Sequence, residues 1–351
     1  MYETYYGLSG KPFQLNPDPA FYFGSKGHKR AFAYLQYGVY QSEGFIVITG
    51  EVGAGKTTIV RSLFEQLDRD KLVAAQIVST QLDADDMLRA VGIAFGLPVK
   101  TVDKALLIGQ LEAFLCQLAT EGKRALLVVD EAQNLTPRAV EELRMLSNFQ
   151  LGEQALLQSF LIGQPELRTM MQGPSMQQLR QRVIASYHLG PLDRPETEAY
   201  IEHRLRHVGW TGDPQFDPAC FDVIHTLTGG IPRRINTLCN RLMLAGFLGE
   251  KHTLEPADVQ GIAREIRDEM GPDSALAPVP SNGEVTALVP RSRDAATGDA
   301  AWEGHFRHLE ERIDRLDRTV GAAVDLLHRL LHPDKQPPQP QPLVKPGNAG
   351  R

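Results

Sequence analysis

The stretch FIVITGEVGAGKTT, Phe45 to Thr58, decides the fold of this chain. Its first residues, Phe45 to Thr49, are mostly β-branched or aromatic, which predicts a short buried strand. Gly50 to Thr57 then match the phosphate-loop pattern G-x-x-x-x-G-K-[ST] in full. From Thr57 onward apolar residues recur at helical spacing. The loop is therefore predicted to join a strand to the N-terminus of a helix, which is where phosphate binding requires it.

The residue types of this loop predict nucleotide binding. Glycines allow successive backbone N–H groups to point inward, and the following helix adds the positive end of its dipole. Lys56 is expected to place its charge at the β- and γ-phosphates of ATP, and the Thr57 hydroxyl to bind Mg²⁺. A glycine-rich turn that binds nothing is the alternative, and the flanking strand and helix disfavour it. The residues predicted to bind the nucleotide are Gly50, Glu51, Val52, Gly53, Ala54, Gly55, Lys56, Thr57 and Thr58.

A second motif, Ala125 to Glu131, is an apolar run that ends in two adjacent carboxylates. Buried strands rarely end on two acids unless the acids have a function, because desolvating charge costs free energy. At the carboxyl edge of an open α/β sheet such residues face the ligand crevice. We expect Asp130 to hold Mg²⁺, directly or through water, and Glu131 to act as the general base that polarises the attacking water. Surface acids on a solvated strand end are the alternative, which the phosphate loop upstream weakens.

A polar residue follows the next predicted strand, Leu156 to Ile162. Gln164 would lie beside the γ-phosphate if this strand neighbours the strand that ends at Asp130, and would then report the nucleotide state. A glutamine that merely forms a turn explains this position equally well.

Several arginines are candidates for contacts with phosphate. Arg180 and Arg182 precede a short predicted strand, and either one would stabilise charge in a neighbouring subunit's site, although a surface role explains each alone better. Arg233 and Arg234 lie in the first turn of a helix predicted over Pro232 to Leu248, where cations oppose the dipole unless an anion is near. A phosphate-facing role for one of them is favoured, and a DNA-backbone contact is the rival explanation.

Two histidines, His203 and His207, have the i, i+4 spacing of metal ligands on a predicted helix. No third ligand is evident near them, so we expect surface residues of an amphipathic helix rather than a metal site.

The composition is that of a soluble protein. Of 351 residues, 42% are hydrophobic and 23% are charged, and the net charge of −6 argues against a strongly basic nucleic-acid binder. Cys116, Cys220 and Cys239 fall in apolar helical patterns without a C-x-x-C pair, which indicates a reduced, intracellular protein. The N-terminus lacks the pattern of a signal peptide, and no apolar run approaches the roughly 20 residues of a membrane helix. We therefore expect a cytoplasmic protein, held at a membrane at most by a partner.

The pattern along the chain predicts the domains. Strands alternating with helices in residues 1–192 predict an α/β domain with a parallel sheet covered by helices on both faces. Residues 1–30, rich in Tyr, Phe and Pro, are expected to wrap this domain as packing, as a wall of the adenine pocket, or as both. In residues 193–270, helices follow one another without strands and predict a small all-helical domain. Residues 271–301 read as a flexible linker from their Pro, Ala, Gly and Ser content.

The last part of the chain carries an apolar 4-3 spacing from Trp302 to Leu330, which predicts a coiled-coil helix over residues 302–332. A lone amphipathic helix that docks on the preceding domains is the alternative. Residues 333–351 are rich in Pro and Gln and are predicted to be extended and disordered.

In combination, the phosphate loop, the acidic strand end, the polar strand tip, the arginines and the helical domain resemble an AAA+ ATPase. More narrowly, the set resembles the ExeA/GspA-type secretion ATPases, including the forms associated with exosortase (PEP-CTERM) export systems. The segments that carry this resemblance, within residues 1 to about 270, are Tyr6-Gly7-Leu8, Lys11-Pro12-Phe13, Pro17-Asp18-Pro19, ITGEVGAGKTT, VVDEAQNL, LIGQPEL (Leu161 to Leu167) and GGIPRRIN.

The resemblance implies an AAA+ P-loop domain of three αβα layers, a helical lid domain, and hydrolysis of ATP with Mg²⁺. It assigns the same roles to the phosphate loop, Asp130 and Glu131 as the residue types do. Gln164 takes the sensor-1 place, where many AAA+ proteins have asparagine. Arg180 or Arg182 matches the region of the trans-acting arginine finger, and Arg233 matches the sensor-2 arginine better than Arg234.

The resemblance also implies partners. A homo-oligomer is expected, together with proteins of an envelope secretion or exopolysaccharide/exosortase apparatus, at the inner face of the cytoplasmic membrane. A DNA-associated AAA+ regulator of the transposition type is the second hypothesis. The net negative charge of the chain and the lack of a recognisable DNA-binding module favour the secretion ATPase over the DNA-associated regulator.

Overall fold

The computed structural model describes residues 1–78, 82–98 and 103–270. All of them lie in one compact unit, Met1–Ser281. The predicted linker (271–301), coiled coil (302–332) and tail (333–351) lie outside the described residues and stay predictions.

A five-stranded parallel sheet, in the order β2-β3-β6-β1-β7, forms the centre of the first domain. The central strands β1, β3 and β6 are almost entirely buried. The apolar runs of β1 and β3 predict this burial, whereas β6 also buries the polar residues Gln158 and Ser159. The strands of the described residues are β1 (Phe45–Gly50), β2 (Leu72–Val78), β3 (Arg124–Asp130), β4 (Gln150–Leu151), β5 (Gln154–Ala155), β6 (Leu157–Gly163), β7 (Val183–Leu189), β8 (Gln215–Phe216) and β9 (Thr253–Leu254).

Helices make up most of the described chain, and α11 (Pro232–Leu248) has the bounds predicted for it. Those of the described residues are α1 (Tyr2–Tyr5), α2 (Lys26–Gln41), α3 (Lys56–Gln66), α4 (Ala84–Ala94), α5 (Lys104–Thr120), α6 (Pro137–Leu146), α7 (Pro165–Gln172), α8 (Gln177–Arg180), α9 (Arg194–His207), α10 (Pro218–Thr228), α11 (Pro232–Leu248) and α12 (Pro256–Met270). Short 3-10 turns cover Pro19–Phe21, Ala132–Asn134 and Pro174–Met176.

Helices cover both faces of the sheet, which confirms the predicted three-layer α/β fold. On one face α2 approaches so closely at Gly38 that an added Cβ would lie 2.5 Å from Ile46 and 2.7 Å from Phe160. On the other face Val47 and Leu161 belong to a core shared with α4, α5 and α6. Alternate residues of each central strand thus face different helical layers.

Helices α9 to α12 form a second hydrophobic core. We refer to residues 194–270 as the lid, the name that the resemblance gives to this part of the chain. The sequence predicts it to be all-helical, but the structure adds a parallel pair of two-residue strands, β8 and β9. Two residues are too few to show an alternating pattern. The antiparallel pair β4 and β5, between α6 and β6, escaped prediction for the same reason.

The N-terminal residues pack with the lid and not with the sheet. Tyr2, Tyr6 and Phe13 are buried members of the lid core. The Tyr2 hydroxyl donates to Asn240 Oδ1 (2.8 Å), and the Tyr6 hydroxyl donates to the carbonyl of Lys251 (2.9 Å). Among the described helices, none is both long enough and apolar enough to span a membrane.

Candidate active site

The tips of three neighbouring strands bring the predicted site residues together. The phosphate loop follows β1, Glu131 follows β3, and Gln164 follows β6. Because β6 pairs with both β1 and β3, the three tips lie side by side at the carboxyl edge of the sheet. The strand that precedes Gln164 is therefore a neighbour of the strand that ends at Asp130. This is the condition under which Gln164 was expected to lie near the γ-phosphate.

The phosphate loop curls around its own lysine. Lys56 Nζ donates to the carbonyls of Gly50 (2.6 Å) and Glu51 (2.9 Å). Burial lowers the pKa of Lys56, and the carboxylates of Glu131 and Asp130 act in the opposite direction. The lysine thus lies in the mouth of the loop, where burial strengthens its attraction for an anion.

Two glycines of the loop have left-handed backbones and close neighbours. At Gly53 (φ +83°) an added Cβ would lie 2.3 Å from Arg233, and at Gly55 (φ +99°) it would lie 2.6 Å from His28 Nε2. Side chains at these positions would collide with Arg233 and with His28, so glycine is what allows the loop to adopt this backbone and pack against both residues.

Thr57 and Asp130 form the oxygen pair expected of a magnesium site. Thr57 Oγ1 donates to Asp130 Oδ2 across 3.1 Å. Burial raises the pKa of Asp130, while hydrogen bonds from the Glu131 amide and from Thr57 act against that rise. A hydroxyl and a carboxylate oxygen are ligands that suit Mg²⁺, so these residues fit the predicted metal.

Glu131 is held in a defined position by two amide side chains. Its Oε2 accepts hydrogen bonds from Gln133 Nε2 (2.6 Å) and from Gln164 Nε2 (3.0 Å). Gln133 Oε1 in turn accepts a hydrogen bond from the backbone N–H of Gln164 (2.9 Å). Burial acts to raise the pKa of Glu131, but the two hydrogen bonds and the charge of Lys56 together outweigh it, and the pKa lies below its usual range. The carboxylate is therefore ionised at neutral pH.

The backbone at Glu131 is unusual for its residue type. Its φ of 54° and ψ of 39° are left-handed, a conformation that glycine adopts easily and glutamate rarely. The turn directs the carboxylate towards Gln133 and Gln164. Sequence reasoning did not identify Gln133, because the one available signal was its position two residues after Glu131.

A buried histidine, His28, makes a hydrogen bond to the backbone of the phosphate loop. His28 Nε2 lies 3.0 Å from the Ala54 carbonyl, and Nδ1 lies 2.7 Å from Ser25 Oγ, which itself accepts from the His28 amide. Because a carbonyl only accepts, the proton is on Nε2, and Ser25 donates to Nδ1. Burial lowers the pKa of His28 and keeps the ring neutral. Nothing in the sequence indicated this contact.

A cavity of about 180 Å³ joins the phosphate loop to the lid. Its far wall is the N-terminal strap, defined as residues 14–23, which supports the prediction that this region borders the nucleotide pocket. From the lid, the Arg233 amide donates to the Gly53 carbonyl (3.1 Å), and the exposed Arg233 side chain lines the cavity. Of the two candidate arginines on α11, Arg233 is the one that lines this cavity.

Arg180 and Arg182 are not brought to this cavity. Arg180 Nη1 donates to the carbonyls of Met171 (2.5 Å) and Gly173 (2.7 Å). Arg182 Nη1 donates to both oxygens of Ser147 at 3.2 Å. Both guanidinium groups thus bind their own chain, and a role in a neighbouring subunit stays a prediction.

Of the two histidines of α9, His203 differs from the prediction of surface residues and His207 agrees with it. His203 is half-buried beside Phe23, and its Nε2 is buried without a hydrogen-bond partner. His207 is exposed, with its ring 4.2 Å from that of Phe21. The strap covers α9, an effect of long-range packing that helical spacing does not reveal. Within the described residues there is no cluster of three or more potential metal-ligating side chains.

The chain is similar in sequence to AAA proteins. Residues 39–171 match the model of a family described as an AAA domain. Over 273 residues the chain is 41% identical to General secretion pathway protein A of Aeromonas hydrophila, an alignment that covers 77% of this chain and 50% of that protein. The chain thus spans half of the length of this relative.

Solved structures of low identity share the fold. The ORC1 protein of Aeropyrum pernix in complex with DNA is 15% identical, with a TM-score of 0.55 over 74% of this chain and 70% of that chain. The ADP form of the ORC2 protein of Aeropyrum pernix is 17% identical, with a TM-score of 0.54 over 74% of this chain and 73% of that chain. These likenesses concern the fold alone.

Proposed function

Taking the AAA P-loop fold of this chain as the premise, we propose that it is an ATPase that binds ATP with Mg²⁺ and hydrolyses it to ADP and phosphate. The observation that carries the proposal is the meeting of Lys56, the Thr57–Asp130 pair and Glu131 at one edge of the sheet. Phosphate, metal and water each have a chemically suited group there.

Binding of the triphosphate follows from the loop. Its inward backbone amides and the N-terminus of α3 attract the phosphates, and Lys56 exchanges its two carbonyl contacts for phosphate oxygens. Arg233, on the lid side of the loop, adds a second positive charge. Mg²⁺, held by Thr57 and Asp130, would neutralise charge on the β- and γ-phosphates.

Hydrolysis requires a water activated by Glu131. The carboxylate has a lowered pKa and is ionised, so it accepts a hydrogen bond from water and orients it for attack. Gln133 and Gln164 hold one carboxylate oxygen, Oε2, which leaves Oε1 for the water. Gln164 thus reaches the site through Glu131, and contact with the γ-phosphate itself stays part of this proposal.

We further propose that the ATPase acts as a homo-oligomer in the cytoplasm, where it energises or regulates an envelope secretion system. The name of the Aeromonas relative and the 41% identity support this role. The association with an exosortase or exopolysaccharide apparatus, the arginine finger from Arg180 or Arg182, and the coiled coil belong to the same proposal.

The first test is turnover by the full-length protein. Release of phosphate from ATP should require Mg²⁺, should stop with EDTA, and should be lost in Lys56→Ala but kept in Lys26→Ala, whose lysine is exposed on α2. Equal turnover by Lys56→Ala and the wild type would refute the assignment of the loop.

The second test concerns the partner. Full-length protein with ATP bound is used to capture proteins from the membrane fraction of its host, and components of an envelope export apparatus are expected. A duplex-DNA shift that persists at physiological salt, without such proteins, would instead favour the DNA-associated regulator.

A further inference from the structure

Arg204, on α9 of the lid, is a buried cation that has no carboxylate partner within the part of the chain that the structure describes. Its side chain is 6% exposed, and among the described residues its partners are carbonyl, hydroxyl and aromatic groups. Burying a guanidinium without a carboxylate is unfavourable unless its donors are well satisfied. An arginine kept under these conditions therefore points to a role beyond packing.

The donors of Arg204 converge on the backbone that leads into the strap. Nε donates to the Pro12 carbonyl (2.5 Å), and Nη2 donates to the Gln14 carbonyl (3.2 Å). Nη1 donates to the Tyr200 hydroxyl (3.1 Å), which in turn donates to Asn236 Oδ1 (2.9 Å). The planar fork of arginine suits several fixed acceptors at once, which a lysine ammonium does not reproduce.

The same arginine also supports the aromatic part of the strap. The Arg204 guanidinium carbon lies 4.7 Å from the centre of the Phe21 ring, within the range of a cation–π contact. Phe21, Tyr200, Arg204 and Asn236 all line the cavity that begins at the phosphate loop. The network therefore lines the same cavity as Lys56.

The strap has a second anchor on the other domain. Arg61, on the helix that follows the phosphate loop, donates to the Pro17 carbonyl (2.5 Å). Between the anchors at Gln14 and Pro17, no other described residue hydrogen-bonds the backbone of Leu15 or Asn16. Both residues are exposed and line the cavity, so their peptide groups are available to a ligand.

We propose that Arg204 is a positioning residue for the nucleobase. By holding the carbonyls of Pro12 and Gln14 it presents the Leu15–Asn16 backbone to the base, and because it belongs to the lid, it couples the grip on the base to the position of the lid. This inference rests on the proposed binding of ATP. It predicts that Arg204 affects the binding of the nucleobase and does not affect the binding of the phosphates.

The test distinguishes a loss of nucleobase binding from a loss of phosphate binding. Steady-state ATP hydrolysis by full-length protein is measured for Arg204→Met and Arg204→Lys, with inorganic tripolyphosphate as a competitive inhibitor that has no base. We expect KM for ATP to rise about tenfold or more in both variants, because buried hydrogen bonds are lost. We expect kcat and the inhibition constant of tripolyphosphate to stay within about threefold of the wild type, because the phosphate loop is untouched.

Controls make the result specific. Arg206→Met removes an exposed arginine from the same helix, one paired with Glu202, and should leave KM unchanged. Tyr200→Phe removes one hydroxyl of the network while keeping the ring, so it should raise KM in the same direction even if Arg204→Met fails to fold.

Several outcomes would overturn the inference. An unchanged KM in Arg204→Lys and Tyr200→Phe would do so, as would an equal loss of ATP and tripolyphosphate binding. Wild-type protein that neither binds nor hydrolyses ATP would instead refute the proposed function, and this inference with it.

Discussion

Replacement of Glu131 by glutamine tests the chemistry of the site most directly. The two side chains have nearly the same shape, and the amide oxygen of the new side chain would still accept from Gln133 and Gln164, as Glu131 Oε2 does now at 2.6 Å and 3.0 Å. What changes is the second carboxylate oxygen, which in our proposal faces the water. It becomes an uncharged NH₂ group that cannot accept a proton from the water. Lys56 and the Thr57–Asp130 pair keep their contacts, so ATP binding should persist.

The size of the effect follows from the role of a general base. Such groups contribute about 10² to 10⁴ in rate, which corresponds to roughly 3 to 5.5 kcal/mol of activation free energy. We therefore expect kcat of Glu131→Gln to fall at least a hundredfold while the dissociation constant for ATP changes less than about threefold. The variant should retain ATP that the wild type converts to ADP.

The assay measures phosphate release and nucleotide binding on the same preparations. Glu166→Gln is the matched control, because Glu166 also acts electrostatically on Lys56 but is exposed on α7. That control should keep most of its kcat. If Glu131→Gln turned over ATP within about threefold of the wild type, Glu131 would not be the base.

Three further outcomes are expected. Thr57→Ala removes one proposed Mg²⁺ ligand and should raise the Mg²⁺ concentration for half-maximal turnover about tenfold or more; a titration with MgCl₂ measures it. Burial lowers the pKa of His28, so its contribution to stability is full above the unfolded pKa of about 6.5 and decreases as the pH falls below it; urea unfolding at pH 7.5 and 5.5 measures it. Gly230→Ala should lose more than about 2 kcal/mol of unfolding free energy, because φ is +69° and the added Cβ would lie 2.1 Å from the Leu192 carbonyl oxygen.

Each of these has its own control. Thr57→Ser keeps the hydroxyl and should need no more Mg²⁺ than the wild type; an equal shift in both variants would contradict the ligand role. His28→Gln should lose stability less steeply than the wild type as the pH falls, and an identical slope would exclude His28 as the cause. Gly122→Ala has a similar φ of +74° with nothing within 4 Å, so it should lose only about 1 kcal/mol; equal losses at Gly122 and Gly230 would rule out the steric explanation.

Features with strong local signals were predictable from the sequence. The bounds of α11 coincide with their prediction, since a proline opens this helix. The phosphate loop and the acidic end of β3 were recognisable because their chemistry is confined to consecutive residues. The strand order then brings Gln164 beside Glu131, a contact that was not predicted.

Contacts between distant residues were not predictable in the same way. His28 meets Ala54 and Arg204 meets Pro12 across 26 and 192 residues of chain, respectively. Nothing in the local pattern of α2 or α9 distinguishes these residues from ordinary helix positions. His203 shows the same limitation, because its burial depends on a strap more than a hundred residues earlier in the chain.

The left-handed turn at Glu131 has a consequence for protein engineering. A glycine there would relieve about 1 kcal/mol or more of backbone strain. A redesign that selects only for thermal stability would therefore favour this substitution. Under the proposed mechanism, the resulting protein would withstand heat better and would lose the general base needed to hydrolyse ATP. Position 131 therefore has to be held constant in any stabilised version of this chain, however poorly glutamate suits its backbone.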